Sequence, residues 1–141
     1  MPLPKLSGER RLSGDRGSSP VELAILAPTI LLALFASIQT AAVFMARSVA
    51  LSAAQEATTA ERAFDAPAGA GQQRGNSFLA RSGDWLSGGR VTVGRQGEQV
   101  TSTVTGSAIS MIPGFTFTVA QTSRGEIERF TTDDGAAGGE P

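Results

Sequence analysis

Between Leu23 and Ala46 the chain runs for 24 residues without a formal charge. As an α-helix such a run is about 36 Å long, and the hydrocarbon core of a bilayer is about 30 Å thick. The run therefore spans a membrane with a little tilt. A signal peptide is the rival reading, but its apolar region is only about 7–15 residues long. The flanks set the orientation. Lys5, Arg10, Arg11 and Arg16 precede the run; Arg47 follows it, and the next cation is Arg62. The excess of basic residues holds the N-terminal side in the cytoplasm and leaves residues 47–141 outside the cell membrane, inner or plasma. Pro28 lies early in the run, where membrane helices tolerate proline, often with a kink. Gln39 is polar within it, and reads either as a tolerated singleton or as a donor to a neighbouring helix.

Composition removes most chemistry. The chain has no cysteine, no histidine and no tyrosine. Thiolate catalysis, sulfur-bound metals and the commonest general base are excluded with them. Lys5 lies on the wrong side of the membrane for a Ser/Lys dyad. The carboxylates of the outer part sit in no recognisable catalytic setting, and Asp133-Asp134 followed by glycine is a poor calcium site. A net charge of −1 gives no basic surface for nucleic acid. The expectation is a protein with no catalytic residues, no metal and no cofactor.

The approach to the span reads DRGSSPVELAILAPTILL, from Asp15 to Leu32. Two readings of Glu22 coexist. In the local one, Ser19 is the helix N-cap, Pro20 takes the first helical position and Glu22 the third. That is a capping box, favoured also by the positive end of the helix dipole. The wider reading includes the glycine. Basic residues, Gly17, then Ser18 to Glu22, then a spanning run resemble the class III leader of type IV pilin-like proteins. That resemblance implies cleavage between Gly17 and Ser18 by a membrane-embedded aspartyl peptidase. It makes Glu22 the fifth mature residue, which neutralises the new amino terminus during subunit packing. The physics agrees, since a carboxylate in lipid needs a cation beside it.

The stretch from Arg16 to Phe64 narrows the resemblance. It is similar to the TadE-like proteins of the Flp (tad) pilus assembly system, through the Gly17-to-Glu22 junction, Pro28, the Phe44-to-Arg47 exit and the Ala-rich Ala50-to-Ala63 segment. The later part, with its Pro113-Gly114 turn and closing Glu128-Arg129-Phe130, resembles actinobacterial members. Major Flp pilins usually carry tyrosine after the glutamate; with Leu23 there, the chain resembles a minor pseudopilin and not the main filament subunit. The resemblance implies other pilin-like subunits, the assembly machinery and a prepilin peptidase as partners.

Beyond the membrane, residues 47–64 contain neither Gly nor Pro and continue the helix as a stalk, about 69 Å in all if unbroken from Ser19 to Phe64. Gln55, Glu56, Glu61 and Arg62 are expected to wet its upper part. Ala42, Ala46, Ala50 and Ala54 recur every fourth residue, as do Ala33, Ser37 and Ala41. Such small-residue stripes let neighbouring helices approach closely, and they form the expected helix-packing face of a homo- or hetero-oligomer. So much alanine also produces these spacings by chance. Residues 65–77 read as a linker. A short helix is expected next, with Phe78, Leu79 and Leu86 toward a sheet and Trp85 either covering the join or exposed. Val91 and Val93, Val100 and Val104, and Phe115, Phe117 and Val119 mark three alternating runs, with a turn at Gly97 and a threonine face at Thr101, Thr103 and Thr105. Glu126 to Phe130 prolong the third run or add a fourth. Residues 131–141 read as a disordered tail.

The expected fold class is therefore α+β and pilin-like: a long N-terminal transmembrane and stalk helix followed by a small antiparallel β-meander. The segments are a basic leader 1–17, a span 18–46, a stalk 47–64, a linker 65–77, an outer domain 78–130 and a tail 131–141. The expected function is a single-pass membrane pseudopilin-like component acting by helix packing and domain contacts. The alternative is a membrane-tethered binding module with no filament role, in which capping is all that Glu22 does.

Overall fold

Pro20 opens a helix, α1 (Pro20–Arg62), that continues through Pro28 to Arg62. The computed structural model describes Met1 and residues 20–129. Lys5, Arg10, Arg11, Arg16, Gly17, Ser18 and Ser19, and the tail with Asp133 and Asp134, lie outside the described residues. The chain divides into two units, Met1–Leu34 and Phe35–Pro141.

In the first unit, the described part beyond Met1 is the opening stretch of α1. Val21, Leu23, Ile25, Ile30, Leu32 and Leu34 are all exposed, and none of the most apolar 18-residue window of the helix is buried. Covering one such side chain is worth about 1.5–3 kcal/mol. The hydroxyl of Thr29 donates to the carbonyl of Ile25 at 2.9 Å, so its polarity is satisfied inside the helix. The helix is long and apolar enough to cross a membrane.

The second unit holds the rest of α1, a second helix α2 (Ala70–Arg81) and three strands, β1 (Leu86–Gln96), β2 (Gln99–Ala108) and β3 (Phe117–Glu126). The strands form one antiparallel sheet in sequence order. Gln96 pairs with Gln99 across a two-residue turn. Gly97 takes φ 60° there, a conformation that suits glycine at the first position of a tight hairpin turn. Near its start β1 bulges, with a register shift between Ser87 and Arg90. β3 ends at Glu126, and Glu128 returns to donate its N–H to the carbonyl of Arg62 at 3.0 Å, so the extra strand entertained for 126–130 does not form among the described residues.

Alternation along the strands sorts the two faces. Val91, Val104 and Val119 are buried in one cluster with Ala46, Ala50, Ala53, Ala54 and Ala57 of α1. Thr92, Thr105 and Thr122 face outward and are exposed. Alanine on the helix and valine on the sheet make a shallow layer with little side-chain volume between the backbones. Phe78, Leu79 and Phe117 close its margins. Phe115 lies before β3 and is exposed instead.

The helix expected to start near residue 77 starts at Ala70, inside the stretch read as a linker. Gly71 and Gly75 look like breakers in the sequence, but here they are contact points. A Cβ on Gly71 would lie 2.5 Å from the Ala57 carbonyl oxygen and 2.8 Å from Glu61 Cβ. A Cβ on Gly75 would lie 2.9 Å from Val91 Cγ1 and 3.2 Å from Ala57 Cβ. Glycine costs about 1 kcal/mol in a helix interior; here the cost is offset by an approach no larger residue permits.

Candidate membrane and packing surfaces

Pro20 is the first residue of α1, and Glu22 lies in its first turn, exposed at the helix surface. Proline suits that position because its missing N–H has no helical partner there. The cap partner Ser19 and the junction residues Gly17 and Ser18 are outside the described residues.

Gln39 makes its bonds within its own chain. Its side chain is 5% exposed. Nε2 donates to the Ile109 carbonyl at 3.0 Å, and Oε1 accepts from the Met111 N–H at 2.9 Å. The amide matches a donor to one backbone group and an acceptor to another, and so fastens the β2–β3 connection to α1. Ser110 and Ile112 tighten the same connection: the Ser110 hydroxyl lies 2.9 Å from the Ile112 carbonyl and 3.2 Å from its nitrogen.

The stripe Ala42, Ala46, Ala50 and Ala54 is buried. Ala46, Ala50 and Ala54 pack on this chain's own sheet. The expectation placed that stripe against neighbouring helices; Ala46, Ala50 and Ala54 are instead covered within this chain by Val91, Val104 and Val119. Ala33, Ser37 and Ala41 remain at the helix surface.

Glu61, expected in solvent, is 5% exposed. Its Oε2 accepts the Gly71 N–H at 2.7 Å, and its Oε1 takes the Arg95 guanidinium at 2.8 Å. Arg95 also donates to the Glu61 carbonyl at 3.0 Å. α2 has no side-chain cap of its own at Gly69, so a carboxylate from α1 does that work at the positive end of the helix. Further ion pairs join Arg62 to Glu128 at 3.3 Å and Arg74 to Glu56 at 3.0 Å. Arg129 pairs with Glu98. The outer sheet face carries a shallow hollow lined by Thr92, Gly94, Thr101, Thr103 and Arg124.

A family model described as TadE-like protein matches residues 17–59. Over those residues the chain is similar to the TadE-like family. The TadE-like segment takes in the Gly17-to-Glu22 junction, the apolar run, Gln39 and the buried alanine face as far as Ala57. It stops before Glu61, α2 and the sheet. No curated protein and no solved structure matches the chain.

Sequence reasoning located the long apolar helix and the strand faces. It missed Glu61, Gly71 and Gly75. The one signal for them was the four-residue spacing of Ala57 and Glu61 on α1 and of Gly71 and Gly75 on α2, two small or short faces of equal pitch.

Proposed function

We propose that this chain is a single-pass, pseudopilin-like membrane component of Flp/tad-type pilus assembly or secretion. The observation that carries the reading is the TadE-like match over a helix whose apolar side chains, from Val21 to Leu34, stay exposed. An uncovered helix of that kind needs lipid or other apolar helices around it. In this reading the N-terminal side is cytoplasmic, residues 47–141 are extracytoplasmic, and a prepilin peptidase cuts between Gly17 and Ser18. Glu22 then neutralises the freed amino group of Ser18, its own or a neighbour's. Ala33, Ser37 and Ala41 offer the small-residue face to adjoining pilin-like helices. The work is done by helix packing and domain contacts, without catalysis.

Mass spectrometry of the protein from its native membrane reads the N-terminus directly. A chain beginning at Ser18 is expected. Glu22→Ala should leave membrane insertion intact and weaken co-purification with pilin-like partners; unchanged co-purification sinks the role given to Glu22. The threonine-lined hollow on the sheet favours the second reading, a tethered binding module, and an intact leader on the mature protein would support it.

A further inference from the structure

The second unit is sharply unlike at its two ends. The β1–β2 turn, the end of α1 and the end of β3 lie together, joined by Arg95 to Glu61, Arg62 to Glu128 and Arg129 to Glu98. At the other end of the sheet the start of β1, the β2–β3 connection and the 38–47 stretch of α1 come together. From Ser107 to Ser123 there is no charged residue. Gln39 holds Ile109 and Met111 against the helix, and apolar clefts open on both sides of that clamp. One, of about 360 Å³, is lined by Ile38, Ala41, Met45, Trp85, Ile109 and Met111. The other, of about 300 Å³, is formed by Thr40, Val43, Phe44, Arg47 and Phe117 with Gln39. Around them Phe44 is 70% exposed, Phe115 64% and Trp85 45%.

We propose that this collar, made by the Ile109–Phe115 loop, Trp85 and Phe44–Met45, is seated in the outer interface of the lipid bilayer, so that the second unit rests on the membrane rather than standing clear of it. The inference rests on the spanning reading and goes further. If the hydrocarbon core takes about 20 residues of helix from Leu23 onward, it ends near Ala42, which is within one turn of Gln39 and the loop clamped to it. The collar is thus at bilayer depth by chain position alone. Its chemistry suits that depth. Tryptophan and other amphipathic rings favour the headgroup level. Part of the loop's backbone is already paired within the chain, the Ile109 carbonyl and Met111 N–H by Gln39 and the Ile112 N–H and carbonyl by Ser110, which lowers the cost of bringing the loop toward lipid. Arg47 lies just beyond Phe44, where its stem can lie along apolar surface and its cation reach a phosphate. Asp84, beside Trp85, is the acidic residue next to the collar and bounds how far that side can sink. The ion pairs lie at the opposite end. A water-facing surface has no reason for this separation, and an exposed apolar patch of this kind marks a membrane or protein contact.

Trp85 is the single tryptophan of the chain and reports its own depth. The full-length chain is reconstituted in phosphatidylcholine–phosphatidylglycerol vesicles at high lipid excess, with lipids brominated either near the headgroup or near the acyl-chain ends. A Trp85→Phe/Leu31→Trp variant serves as the insertion reference. The expected result is loss of Trp85 emission with shallow bromines, less loss with deep ones, and protection from aqueous iodide. Quenching of Trp85 by iodide but not by bromine, with the Leu31→Trp reference quenched by bromine, overturns the collar and leaves the span standing. Protection of Trp85 from both quenchers, with the reference still bromine-quenched, means protein covers the collar and also overturns it. If the reference itself escapes bromine, the spanning reading fails and the collar with it.

Discussion

The side-chain oxygen of Gln39 accepts the backbone N–H of Met111 at 2.9 Å, across 72 residues of sequence. One amide in an apolar stretch thereby decides where a distant loop lies. With the Nε2 bond to Ile109 it leaves that loop two bonds richer. Gln39→Leu keeps the apolar bulk but strands a carbonyl and an N–H. A net hydrogen bond is worth about 0.5–1.5 kcal/mol, so a loss of about 1–3 kcal/mol is expected. Thermal unfolding of the full chain in detergent measures it, and limited proteolysis should report faster cleavage within 109–116. Unchanged values on both would show the clamp to be idle.

Glu61 is the joint of α1, α2 and β1. Glu61→Ala removes the cap on Gly71 and leaves Arg95 without its carboxylate. Because Arg95 is partly exposed and can turn to water, the loss falls short of a fully buried pair; about 2–3 kcal/mol is expected. Glu61→Gln keeps an acceptor for Gly71 and should lose less. Denaturant unfolding of the two variants side by side gives the order, and equal losses would remove the capping role.

Gly71→Ala places a methyl against the carbonyl of Ala57, a backbone atom that cannot turn aside. Overpacking of this kind costs about 1–3 kcal/mol. Gly94→Ala, where the added carbon meets open space, is the control and should cost much less. Comparing their melting temperatures tests whether the α2 glycines are contacts or merely breakers.

Ser102 is fully buried in the middle of β2, and its hydroxyl has no hydrogen-bond partner among the described residues. Removing an unsatisfied buried polar atom recovers its desolvation cost. Ser102→Ala is expected to be neutral or to stabilise by about 1 kcal/mol. A clear destabilisation in the same unfolding assay would mean the hydroxyl has work to do.

The amino-acid order alone determined what depends on near neighbours. A charge-free run long enough for a bilayer, Pro20 before an apolar helix, valine alternating with threonine, and Gly97 between two such runs are all local patterns. Helix and strand periods translate them into elements without knowledge of the rest of the chain. Only the tertiary structure decided which faces meet. Ala46, Ala50 and Ala54 are as fit for a neighbouring helix as for a sheet, and the sheet took them because it is tethered within the same chain. Glu61 reads as a wet surface acid until α2 folds over it and Arg95 reaches in. Gly71 and Gly75 read as a break until Ala57 and Val91 are beside them. Burial is a property of pairs of surfaces, and local periodicity carries one member of each pair.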